Sequence, residues 1–279
     1  MHKNHVSIFI PDSFLSEIND LKLKTSKIGV IGRALAVFQV DQIVIYKDLS
    51  QKDDKFVTDA DFMVKVLEYM NTPQYLRKKA FPMQSELKHV GILPPLRTPH
   101  HPTNPDVNID EFKQGFIVKR TKKGTYIDIG MNGKDNLAFC KEQLSVNKVF
   151  SFRVTKVAKE VIVTPDEPDD VYWGYKTLST HESLKNSLKL INPDLVVETT
   201  RYADTINSIF NEFEDKLNNS DKVAIVFGGP YSSINEALDG FSWDLVKVNT
   251  VPSQGTETVR TEEAVVSTLS IINMLLNFR

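Results

Sequence analysis

Residues 195–230 read LVVETTRYADTINSIFNEFEDKLNNSDKVAIVFGGP. The stretch opens on an apolar run, Leu195 to Thr200, passes through a helical pattern from Ala203 to Leu217, and closes on a second apolar run, Val223 to Gly228. Short runs rich in valine, alternating with a segment of helix length, are the pattern of a parallel sheet covered by helices. Downstream the alternation continues, with a helix expected from Ser232 to Leu238, a strand from Leu245 to Thr250 and a final helix from Arg260 to Asn277. Upstream the chain begins in the same way. Val6 to Pro11 reads as a strand, Asp12 and Ser13 cap helical stretches that reach Phe38, and Gln42 to Lys47 reads as the next strand. A helix is expected from Asp59 to Asn71, with Phe62, Val66 and Tyr69 at helical spacing, and a short basic helix from Gln74 to Lys79.

Between these two halves the grammar changes. Pro94, Pro95, Pro99, Pro102 and Pro105 crowd one short stretch and cannot sustain a helix, which marks a rigid connection. Beyond it lie five strand candidates separated by turns such as Lys122-Lys123-Gly124 and Asn132-Gly133. They run from Gly115 to Arg120, Thr125 to Ile129, Asn136 to Cys140, Phe150 to Val157 and Val161 to Thr164, and suggest a small OB-type barrel. The expected organisation is a discontinuous α/β domain, residues 1–85 and 168–279, interrupted by a barrel at 86–167.

With 279 residues, 41% of them hydrophobic, the chain can bury a full-sized core. Its one cysteine, Cys140, excludes an internal disulfide and a zinc site of paired thiolates. No apolar run approaches the roughly 18 residues of a membrane span, so a cytoplasmic protein with no membrane partner is expected. The net charge of −2 argues against a nucleic-acid partner until its distribution is examined. From Glu111 to Glu160 there are eleven Lys or Arg against five Asp or Glu, an excess of six, so by difference the remainder carries −8. A basic module sits in an acidic host.

Ligands of open parallel sheets bind beyond the carboxyl ends of the strands. Three loops qualify: Glu198 to Arg201, Phe227 to Pro230, and Asn249 to Thr258. Their glycines let a backbone approach a ligand, although Gly and Pro are also the default residues of ordinary turns. Neither G-x-G-x-x-G nor G-x-x-x-x-G-K-[ST] occurs, so dinucleotide and P-loop readings have no support.

The string Val248-Asn249-Thr250-Val251-Pro252-Ser253-Gln254-Gly255-Thr256-Glu257-Thr258-Val259-Arg260, together with Phe227-Gly228-Gly229-Pro230, resembles the SPOUT superfamily of RNA methyltransferases. Ile31 to Asp41, Gly91 to Leu96 and Pro99-His100-His101 narrow the resemblance to its archaeal and eukaryotic branch. It implies a trefoil knot in the C-terminal third of a parallel sheet with helices on both faces, an inserted OB-like domain and a homodimer. It further implies S-adenosylmethionine as methyl donor, leaving as S-adenosylhomocysteine, and a structured RNA substrate, most readily ribosomal. Carried over by position, the cofactor residues are Thr200, Phe227, Gly228, Gly229, Pro230, Asn249, Thr250, Val251, Pro252, Gly255, Thr256, Glu257, Thr258 and Val259. The first loop departs from the branch's small Gly-Thr-Ser start, reading Glu198-Thr199-Thr200.

Two residues are candidates for chemistry. Arg33, on a helix of the N-terminal half, can contact RNA near the methyl group and stabilise charge on a base carbonyl, the alternative being a surface ion pair. Glu257 can accept a proton or hold the cofactor's amino group, or else serve only the following helix. Lys119, Arg120, Lys122, Lys123, Arg153 and Lys156 fall on the barrel beside Phe116, Tyr126, Phe150 and Phe152, a mixture suited to RNA. No metal site is expected: His100 and His101 are adjacent in an extended segment and have no further ligands nearby. The rival reading is an RNA-binding scaffold that keeps the fold without turnover.

Overall fold

The computed structural model describes residues 4–50, 55–133, 136–230, 234, 238 and 242–276, with backbone alone for 55–58. Strand β1 (His5–Pro11) leads through a 3-10 turn to helix α1 (Leu21–Val37), strand β2 (Gln42–Lys47), helix α2 (Lys55–Asn71) and helix α3 (Gln74–Ala80). Asp20 caps α1 by accepting the Leu23 amide at 2.8 Å. Five short strands follow: β3 (Phe112–Thr121), β4 (Gly124–Asp128), β5 (Ala138–Cys140), β6 (Val149–Lys156) and β7 (Ile162–Pro165). The rest of the chain is β8 (Lys176–Ser183), α4 (Leu184–Ile191), β9 (Leu195–Thr199), α5 (Ile206–Asn218), β10 (Lys222–Val226), β11 (Asp244–Val248) and α6 (Thr261–Leu275). The helix expected from Ser232 to Leu238 lies outside the described residues, apart from Ile234 and Leu238 themselves.

The chain divides into two compact units. One comprises residues 1–68, 89–95 and 174–279, the other residues 69–88 and 96–173. The first holds a six-stranded sheet in the order β11-β9-β10-β1-β2-β8, every neighbouring pair parallel and the sheet flanked by helices. Its central strands carry apolar side chains to both faces, as burial by helices on a parallel sheet requires. Ile8 pairs with Ile225 on one side and Ile43 on the other, and all three are buried. Phe9, Val44, Tyr46, Leu184, Leu188, Val196, Val226 and Trp243 pack into one of its cores. Strand order reverses in the C-terminal part: β10 lies against β9 and β1, while β11 returns to the far side of β9. The carboxyl ends of β9, β10 and β11 thus lie side by side.

The second unit contains a closed barrel in the order β3-β4-β5-β7-β6. Its β5–β7 contact is parallel and its other pairings are antiparallel. The alternation of side chains puts Ile117, Ile127, Ile129, Ala138, Cys140, Phe152, Val154 and Val163 inside. Cys140 is a buried free thiol. Phe116 and Phe152, grouped with the basic residues on sequence grounds, are both buried, Phe152 inside the barrel core.

Strand β8 and helix α4 were not expected. Among the described residues β8 pairs only with β2, at the edge of the sheet, and its sequence Lys-Thr-Leu-Ser-Thr-His-Glu-Ser has one strongly apolar residue. α4 carried a readable signal: Ser183 caps it at 3.3 Å from the Asn186 amide, Leu184, Leu188 and Ile191 share a face, and left-handed Asn192 before Pro193 ends it.

Candidate functional site

The three loops beyond β9, β10 and β11 are tied to one another and to their strands. Thr199 donates its hydroxyl to the Val226 carbonyl at 2.8 Å, and the Thr200 amide reaches the Val248 carbonyl at 3.1 Å. Asn249 receives its strand partner from the first loop: its amide donates to the Asp204 carbonyl at 2.8 Å, and its own carbonyl accepts from Ile206 at 2.9 Å. The Asn249 side chain accepts the Val251 amide at 3.0 Å and donates to the Arg201 carbonyl at 3.3 Å. The second loop is held by Tyr46, whose hydroxyl donates to the Phe227 carbonyl at 2.8 Å, and by Thr261, which donates to the Gly228 carbonyl at 3.2 Å. Each bond contributes about 0.5–1.5 kcal/mol net, and together they fix the loops before any ligand arrives.

The loops enclose a cavity of about 420 Å³, within the usual range for small-molecule sites. Thr200, Phe227, Gly228, Gly229, Pro230, Asn249, Thr250, Val251, Thr258 and Val259 line it, all of them among the residues expected to hold a cofactor. Pro252, Gly255, Thr256 and Glu257 belong to the same third loop, but the lining does not include them. The sequence reading missed Glu17, Lys27, Arg260, Thr261 and Ala264, which also line the cavity. Glu17 and Lys27 lie more than 170 positions before the nearest loop residue, and the β1–β10 and β2–β8 pairings bring the two parts of the chain together. Arg201 and Tyr202 of the first loop complete one side: the guanidinium sits 4.8 Å from the Tyr202 ring centroid, and Tyr202 is 74% exposed.

Charge on the wall is unevenly anchored. Lys27 is buried, with Nζ 3.1 Å from the Phe14 carbonyl, 3.4 Å from Glu262 and 4.0 Å from Glu17. Burying a lysine is costly unless it is paired, and these oxygens supply the pairing. Glu198, the unusual residue at the start of the first loop, is buried on β9 and ion-pairs with Lys247 at 3.3 Å, so it serves the sheet. The Glu257 side chain is exposed, and its backbone carbonyl accepts from Arg201 at 2.5 Å and from Gln254 at 3.1 Å. Arg33 is half-buried on α1, outside the cavity lining, and donates to the Pro95 carbonyl at 3.3 Å.

His100 and His101 converge on a single acceptor, the Asn71 carbonyl, at 2.9 and 3.0 Å through their Nε2 atoms. Burial holds both rings neutral, with pKa values lowered to about 3 and about 4. On the barrel, Lys119, Arg120, Lys122, Lys123, Arg153 and Lys156 are all exposed. Arg153 is paired with Asp166 at 3.4 Å and lies 4.0 Å from Asp110, whereas Lys119 stands 4.7 Å over the Tyr126 ring.

The sequence has relatives. The chain is 28% identical over 292 residues to an uncharacterized protein of Halobacterium salinarum, covering 96% of this chain and 98% of the relative. It is 27% identical to proteins named 28S rRNA (uridine-N(3))-methyltransferase from Drosophila melanogaster and Homo sapiens, covering 96% of itself in each case and 61% and 77% of theirs. It thus spans nearly all of the archaeal relative but less than two thirds of the fly protein. The family described as "Putative RNA methyltransferase" matches residues 5–272, nearly the whole chain, and the protein belongs to that family of RNA methyltransferases.

Proposed function

We propose that this protein transfers a methyl group from S-adenosylmethionine to ribosomal RNA, with uridine N3 as the acceptor. One observation carries the cofactor assignment: three loops beyond adjacent parallel strands converge on one cavity, and ten residues carried over from the family resemblance line it. The walls suit a molecule with an adenine ring at one end and an amino acid at the other. Phe227, Val251, Val259 and Ile234 supply apolar surface, and Thr200, Asn249 and Thr258 supply polar groups. When bound, the cofactor supplies an electrophilic methyl on a sulfonium sulfur. The chain's own residues align the acceptor and steady the negative charge left on the base once N3 has given its proton to solvent. Charge leaving N3 spreads onto the flanking base carbonyls, where a guanidinium or ammonium is favourable. Arg201 carries such a cation on the cavity wall.

Arg33 is assigned a role through a second copy of the chain. Leu23, Val30 and Val37 are 59%, 44% and 51% exposed and recur every seventh residue along α1, an apolar stripe on one helix face. Arg33 lies three residues after Val30 and four before Val37, on the same face. We assign this face to the homodimer contact, and the knot implied by the family resemblance to the C-terminal third of the chain. Light scattering on Leu23→Lys/Val30→Lys should report a monomer, and a persisting dimer would rule this face out.

The test is transfer of labelled methyl to total RNA from a strain lacking the protein. Label should enter large-subunit rRNA, fall on Arg33→Ala, and survive Glu257→Ala, because Glu257 contributes a backbone carbonyl to the loop. A wild type that binds cofactor and RNA yet transfers nothing would establish the scaffold reading instead.

A further inference from the structure

Two aromatic side chains of the barrel, Tyr126 and Phe139, lie outside its core. On β4 the inward positions are Thr125 and Ile127, and on β5 they are Ala138 and Cys140, so Tyr126 and Phe139 point outward. They are direct cross-strand partners, with ring centroids 5.3 Å apart and planes inclined by 60°. The barrel core closes without either of them. The ladder continues outward from this pair: Lys119 is the register partner of Tyr126, Ile162 is that of Phe139, and Lys156 is that of Ile162. Tyr126, Phe139 and the half-buried Ile162 therefore form a band with an exposed lysine at each end.

Gly124 holds this band in place. Its φ of +151° suits glycine, and a Cβ there would come within 2.6 Å of the Phe139 ring and 2.2 Å of the Cys140 carbonyl. The Phe139 ring lies on the bare backbone at the start of β4. The same hairpin carries Arg120, Lys122 and Lys123, all exposed.

We propose that Tyr126 and Phe139 form a stacking platform for unpaired bases, and that Lys119, Lys122 and Lys123 hold the adjoining phosphates of a single-stranded RNA segment. The proposal deepens the RNA-substrate reading and rests on it for the identity of the partner. The pair is half-buried on the outer face of the barrel, and a partly exposed ring recognises the face of a base, which any base offers, while cations beside it recognise the backbone. In a duplex those faces are covered by the neighbouring pairs, so the platform selects unpaired RNA.

The experiment measures binding of the full chain to a fluorescent oligouridine of about ten nucleotides, a length within the usual site size of such barrels, and to a duplex of similar length. Tyr126→Ala and Phe139→Ala should each weaken single-strand binding roughly 10- to 100-fold, the usual worth of one stacked base, and leave the salt dependence and duplex binding unchanged. Tyr126→Phe should restore wild-type affinity. Thermal unfolding of the same variants followed at Trp173, which belongs to the barrel's own unit, reports that the barrel is folded. Wild-type affinity in Tyr126→Ala, equal losses on single strand and duplex, or a wild type indifferent to unpaired RNA would each overturn the platform. Failure of methyl transfer with the stacking effect intact would instead overturn the enzymatic reading alone.

Discussion

Around the cavity, backbone carbonyls are held by hydroxyls from elsewhere in the fold: Thr199 on Val226, Tyr46 on Phe227, Thr261 on Gly228. On the barrel, Lys119, Lys122, Lys123 and Lys156 stand in solvent on strands and a turn. The first arrangement suits a small ligand whose every atom must be positioned, because loops already fixed lose little freedom on binding. The second suits a long polyanion, for which the number of cations and their spacing count for more than the exact placement of any one. On the proposed reading one chain separates positioning from capture, and the two should fail separately.

The largest effect expected is at Asn249. Asn249→Ala removes the acceptor of the Val251 amide and the donor to the Arg201 carbonyl in one step, loosening the third loop from the first. One or two polar groups left without partners cost about 1–3 kcal/mol each, so affinity for S-adenosylhomocysteine should fall roughly 10- to 100-fold by calorimetry. RNA affinity of the same variant should stay within about twofold, far below the loss a phosphate or stacking contact causes. Parallel losses of both affinities would dissolve the distinction between the two regions.

A smaller effect of opposite character is expected at the barrel turn. Lys122→Ala/Lys123→Ala should flatten the plot of log affinity for single-stranded RNA against log salt by about 1.4, two contacts at about 0.7 each, while cofactor affinity is unchanged. An unaltered slope would mean that these two lysines do not meet phosphates and that the excess of basic residues acts elsewhere on the barrel.

The contrast between the two regions also explains what was legible. The barrel reads directly from local sequence, because its strands are short alternations and several of them are bounded by glycine or asparagine. All five appear within about three residues of their expected ends, Gly124 and Gly133 among the turn residues. The cavity is legible only in part. Its loops follow apolar strands and carry Gly and Pro, so they stand out, but which strands lie side by side is a long-range property. Glu17 and Lys27 reach the wall through the β1–β10 pairing, and no local pattern announces it. Glu198 looked like a departure in a ligand loop, whereas the structure buries it against Lys247. Strand β8 was hidden for another reason. An edge strand has one neighbour and half its surface in water, so Thr, Ser and Lys are tolerated where a central strand needs Val or Ile.

The mildest expected effect concerns acid and again separates the regions. His100 is fully buried and His101 largely so, and each donates Nε2–H to the Asn71 carbonyl as a neutral ring. Their folded pKa values, about 3 and about 4, lie below the ordinary 6.5, mainly because burial penalises the charged ring. Below pH 6.5 the unfolded chain binds protons that the folded chain refuses, so the stability these rings contribute is complete above 6.5 and declines as pH falls toward 4 and 3. Both histidines and Asn71 belong to the unit that carries the barrel. Thermal unfolding followed at Trp173, which lies 5.8 Å from the His100 ring, should therefore shift to lower temperature between pH 7.5 and pH 5. His100→Gln/His101→Gln, which cannot titrate, should lose most of that shift even if it starts from a lower midpoint. An acid shift of the same size in the double variant would move the cause to the carboxylates and leave the histidine pair a purely structural contact.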